Sequence, residues 1–138
     1  MNKSKKLPII IVLLALALAA LIYCSYSDKP LETISINEIK EIKVYAIPPE
    51  EEVILSEAEA KSVIPLLQDL KVSKPGYKAF ALGGQTVRIT VEKTDGSTIE
   101  ISNVGNVQII VDGKSYRADY ESAEAINNFA NKVLKNGF

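Results

Sequence analysis

The chain has 138 residues, a net charge of −1, no histidine and a single cysteine, Cys24. That length suits one domain, the missing imidazole excludes a Ser-His-Asp triad and histidine-ligated zinc, and one thiol cannot close an internal disulfide. Charge is unevenly divided: Lys3, Lys5 and Lys6 stand without an acid before the first apolar run, whereas 13 basic and 17 acidic residues follow from Asp28, a net −4. With no block of Lys or Arg in this later part, nucleic acid is not an expected partner.

Residues 7–24 form 18 consecutive uncharged positions. As a helix rising about 1.5 Å per residue they span roughly 27 Å, close to a bilayer's hydrocarbon core. Pro8 is expected in the first turn, where a missing N–H matters little. Tyr23 and Tyr26 fall where an interfacial aromatic belt would lie, and the preceding lysines favour a cytoplasmic segment 1–6 with everything beyond the span outside. Three fates compete: a retained single-pass anchor, cleavage at Ala15-Leu16-Ala17 or Ala17-Leu18-Ala19, and lipid attachment at Cys24. The last resembles bacterial lipoprotein signals, except that bulky Tyr23 stands where they carry a small residue. Outside that role Cys24 is a small apolar residue at a helix end.

Residues 25–33 (SYSDKPLET) are polar, contain Pro30 and read as a short linker, which leaves 34–138 as an extracytoplasmic domain. Ile39, Ile42, Val44, Ala46 and Ile47 predict a first strand. Pro48-Pro49 interrupts it, and Val53-Ile54-Leu55 predicts a second extended run. Ser56-Glu57-Ala58-Glu59 has capping-box spacing, and Ala60, Val63, Leu67 and Leu70 recur behind it at helical intervals. The expected helix runs over about 57–70, with a kink or break at Pro65. A connection over 71–84 follows, and the periodicity then changes to two.

Val87, Ile89 and Val91 predict one strand, and Ile99 with Ile101 the next across the Asp95-Gly96 turn. Val107, Ile109 and Val111 predict a third after Val104-Gly105-Asn106. Tyr116, Ala118 and Tyr120 predict a fourth after Asp112-Gly113, with both tyrosines on one core-side face. Ser122 is expected to cap a final helix whose stripe is Ile126, Phe129, Ala130, Val133 and Leu134, and Gly137 to end it. The reading is α+β: an antiparallel sheet made of an N-terminal strand or hairpin and a four-strand meander, two helices on its one apolar face, and one transmembrane helix in front.

The stretches IKVYAIPPEEEVILS (42–56) and VDGKSYRADYESAEAINNFANKVL (111–134) resemble a family of small membrane-anchored or lipoprotein-like extracytoplasmic proteins of Gram-positive bacteria, a domain of unknown function. The resemblance spans essentially the whole exported part. It implies an envelope setting and supplies no catalytic, cofactor-binding or metal-binding residues.

Few residues suggest chemistry. Consecutive side chains at Glu50-Glu51-Glu52 alternate faces and do not converge as a calcium site requires, so a charged sheet edge is the expectation. Gly83-Gly84 precedes a strand and not a helix, which suits a turn better than a phosphate cradle. Asp112, Asp119, Glu121 and Glu124 fit turn and helix-start roles. Tyr77 and Phe80, on the longest loop, are the candidate partner-binding residues, with packing beneath the loop as the alternative. The expectation is a non-enzymatic binding module held in the membrane by residues 7–24, without catalytic residues, cofactor or metal, facing an extracellular protein partner. The alternatives are an envelope immunity or stress-response protein and an enzyme using carboxylates or a metal.

Overall fold

The computed structural model describes residues 3–80 and 83–136. Helix α1 (Lys3–Ser25) stands apart from the rest, and none of its residues is buried. It begins ahead of the apolar run, so Pro8 lies inside the helix and not in its first turn. One seven-stranded sheet and two helices follow: β1 (Ile39–Ile47), β2 (Glu51–Ile54), α2 (Glu57–Gln68), β3 (Val72–Ser73), β4 (Thr86–Lys93), β5 (Thr98–Val104), β6 (Gln108–Val111), β7 (Lys114–Ala118) and α3 (Tyr120–Asn136). The strands lie in the order β2-β1-β4-β5-β6-β7-β3, and every pairing is antiparallel.

Period-two alternation fixes the register, because a one-residue slip would turn the apolar set to water. Val44 pairs with Ile89, Ile89 with Ile101, and Ile101 with Val111, which gives one continuous apolar row. Ile42, Val87, Val91 and Ile109 extend that face, all essentially inaccessible. The core is completed by Val63, Ile64 and Leu67 of α2 and by Ile126, Phe129, Ala130 and Val133 of α3. The other face carries Lys43, Tyr45, Arg88, Thr90 and Glu100, as expected of an antiparallel sheet with one wet side.

Local signals explain most boundaries. Ser56 accepts the Glu59 N–H at 3.3 Å while the Glu59 carboxylate accepts the Ser56 N–H at 2.8 Å, so both halves of the capping box form. Pro65 does not divide the helix: α2 runs unbroken to Gln68, and the Pro65 carbonyl accepts the Asp69 N–H at 3.0 Å.

Several expectations are corrected. The connection after α2 contains β3, too short for any periodicity, which pairs with β7 through Val72–Ala118 and Ser73–Arg117. Val107 is 40% exposed in the turn, and its strand starts at Gln108. Tyr120 belongs to α3 and not to the fourth strand, and is 58% exposed. The α3 start is capped by Asp119, whose carboxylate accepts the Ser122 N–H at 3.2 Å, while the Ser122 hydroxyl accepts the Lys71 N–H at 3.2 Å. The stop expected at Gly137 lies outside the described residues. The largest difference concerns the linker. Within it Asp28 exchanges two backbone hydrogen bonds of 2.9 Å with Val72, and Leu31 is buried in the core beside Ile34, the first residue of the expected domain. Only Tyr26 and Ser27 separate Ser25 from the first residue fixed to the sheet.

Candidate functional site

The chain meets the domain at the β3 edge. Asp28 bridges to Val72 there, its carboxylate accepts the Lys29 N–H at 2.8 Å, and Lys29 reaches Asp69 at 3.6 Å. The Tyr26 hydroxyl donates to Asp28 at 3.3 Å. Desolvation, then the Asp28 carboxylate and Tyr116, hold the Tyr26 phenol above its ordinary pKa. A cleft of about 340 Å³ opens beside this junction, lined in part by Ser27, Lys71, Arg117 and Tyr120.

The row Ala46, Val87 and Asn103 ends the core, and side-chain amides lock the loops beyond it. Asn103 is fully buried; its Nδ2 donates to Ala123 O at 2.9 Å and to Asn106 Oδ1 at 2.8 Å, and its Oδ1 accepts the Asn106 N–H. Gln85 Nε2 donates to Pro48 O at 2.6 Å and to Asn131 Oδ1 at 3.0 Å, and Asn127 donates to Gln85 Oε1. These amides tie the Pro48-Pro49 bend and two loops to α3. Among the described residues no buried side-chain nitrogen or oxygen lacks a partner, so these amides are satisfied within the fold where they are buried. Sequence reasoning missed it, although Asn127 and Asn131, four residues apart beside the apolar stripe, were a signal. Gly105 closes the same end. A Cβ there would strike the Gly83 carbonyl, and its φ of 59° disfavours a side chain besides.

The structure does not gather Tyr77 and Phe80 into a pocket. Tyr77 is half-buried, its carbonyl accepting from Gln108 Nε2 at 3.5 Å, whereas Phe80 is fully exposed. Glu51 and Glu52 lie on edge strand β2 opposite Ala46 and Tyr45, on different faces, and do not converge. Among the described residues no three acids or thiols are grouped to hold a metal ion.

A larger cleft, about 540 Å³, separates the start of β1 from α2. Its floor includes Ile36, Ile42 and Leu55, and its rim charges are engaged: Lys40 with Glu92 at 3.0 Å and Lys61 with Glu57 at 2.8 Å. These contacts raise the Lys40 pKa and lower that of Glu57, each favouring the charged form. Across the wet face Arg88 lies 6.0 Å from the Tyr45 ring centroid and 3.7 Å from Glu100.

No protein-family model, no curated protein and no solved structure matches this chain.

Proposed function

We propose that this chain is a bacterial envelope protein whose N-terminal helix stays in the membrane while its α+β domain acts outside as a non-enzymatic interaction module. One observation carries the reading: α1 is 23 residues long, an 18-residue window within it has a mean hydropathy of 2.9, and the domain buries none of the helix. An uncovered apolar helix of that length is unfavourable in water and stable in lipid. Lys3, Lys5 and Lys6 favour an inside N-terminus. A signal sequence meets the same criteria of length and composition. Cleavage after Ala17 or Ala19, however, would leave Leu21, Ile22 and Tyr23 exposed on the released domain, which favours retention.

The kinship of residues 42–56 and 111–134 with small Gram-positive membrane-anchored proteins is proposed on the same footing. Phe80 and its neighbour Tyr77 are the proposed contacts for an extracellular protein partner. Of the two only Phe80 is fully exposed, and an exposed aromatic on a surface loop supplies contact area.

The test uses the full chain carrying Cys24→Ser and Glu51→Cys. A membrane-impermeant maleimide should label it on intact cells, it should sediment with membranes, and its mass should retain the leader. An unlabelled, freely cytosolic chain overturns the proposal. A mature N-terminus after Ala17 or Ala19, or a lipid found on native Cys24, replaces the spanning anchor by a processed one. A photo-crosslinker at Phe80 should yield one discrete adduct, and repeated absence of any adduct removes the binding role.

A further inference from the structure

We propose that the β3–β7 edge of the sheet lies along anionic lipid headgroups of the membrane that holds α1, with the acidic β2 edge farthest from it. The inference rests on the anchored reading above and adds an orientation and a lipid-binding surface to it.

Chain length supplies the first constraint. Three Cα–Cα steps separate Ser25 from Asp28, no more than about 11 Å when extended, and Asp28 is hydrogen-bonded to Val72 on both sides. The β3 edge is therefore held near the level where α1 leaves the lipid. β2 lies six strand spacings away, about 29 Å.

Charge supplies the second. The exported part is net acidic, yet no acid occurs from Leu70 to Val91, where Lys71, Lys74 and Lys78 stand on or beside β3. Arg117 lies opposite Ser73 on β7. None of these four cations forms an ion pair among the described residues. Asp28, Asp69, Asp119 and Glu121 stand nearby and keep their charge, so that with Lys29 counted the five cations of this edge exceed its acids by one. The opposite edge carries Glu50, Glu51 and Glu52. Surface charges act over a Debye length of about 8–10 Å, so an anionic surface attracts the near edge and scarcely senses the far one. Tyr26 and Tyr120, both exposed at the junction, suit the headgroup level.

Ser115, Arg88 and Glu52 lie on one lateral row of the sheet and serve as a ruler. In the full chain with Cys24→Ser, single spin-labelled cysteines at these positions are placed in vesicles of phosphatidylcholine with phosphatidylglycerol, the paramagnetic ion being chelated to a headgroup. Relaxation enhancement should be strong at 115, weaker at 88 and lost at 52. Lys71→Glu, Lys74→Glu and Lys78→Glu together, or a long Gly-Ser insertion after Ser25, should flatten that gradient, with the far-ultraviolet circular dichroism unchanged. Equal enhancement at all three sites in a chain that stays on the vesicles overturns the orientation and leaves the anchor standing. A gradient that survives both changes, or is the same in pure phosphatidylcholine, overturns the headgroup contact. A chain that washes off the vesicles overturns the anchored reading itself.

Discussion

The two edges of the sheet meet the same hazard differently. β2 closes one side with four residues, two of them exposed glutamates, and no strand among the described residues pairs with its free side. β3 closes the other side with two residues, and the chain arriving from α1 covers it through the Asp28–Val72 bridge. An uncovered strand offers unpaired N–H and C=O groups to any other strand, and charge or cover removes the invitation. Protection by charge is local to β2. Protection by cover depends on a segment remote in sequence, so the β3 edge is the more vulnerable to change elsewhere.

That contrast breaks most readily at Leu31, which follows the bridge and is 4% exposed. Leu31→Ala should lower stability by about 2–4 kcal/mol, read from urea unfolding of the full chain in detergent micelles. A loss below about 1 kcal/mol would mean that the covering segment is loosely held. Beyond β2 the strongest local support is the capping box, and Ser56→Ala should lower stability by about 1 kcal/mol in the same measurement.

The β2 edge itself answers differently. Glu52→Val on its exposed face should shift stability by no more than about 0.5 kcal/mol. It should, however, make the protein self-associate in sedimentation velocity, and a strictly unchanged species would remove the protective role of charge. The smallest effect belongs to neither edge and serves as the reference. Hydrogen bonds from the Ser97 side chain and backbone hold the Asp95 carboxyl below its ordinary pKa. A depressed carboxylate stabilises the fold above its unfolded value and loses that contribution as pH falls through the folded one. Fully exposed, Asp95 should contribute little to acid unfolding. An NMR titration should give a midpoint below that of ordinary aspartate, and Ser97→Ala should return it upward.

Elements with strong periodicity or explicit punctuation were legible. The meander, the capping box, the amphipathic stripe of α3 and the alternating glutamates of the β2 edge all follow from neighbouring residues. Tyr120 misled because strand spacing continues through it, while Asp119 one residue earlier is a better cap than Ser122. Residues 25–33 read as linker because a lone Leu31 forms no pattern, although it enters the core beside Ile34. The amide contacts were hidden for a related reason: Gln85 and Asn103 are far in the chain from their partners on α3, the Asn127 side chain and the Ala123 carbonyl.

The sequence by itself determined an apolar helix of membrane-spanning length, an antiparallel α+β domain, the inward face of each central strand and the absence of imidazole chemistry. Each of these rests on residue identity or on spacing within one element. Only the tertiary structure decided that the supposed linker closes a sheet edge, that β3 exists, and that the cationic and acidic edges lie at opposite ends of the sheet. Such features arise when distant segments satisfy one another's hydrogen bonds and buried area, a condition that no local window contains.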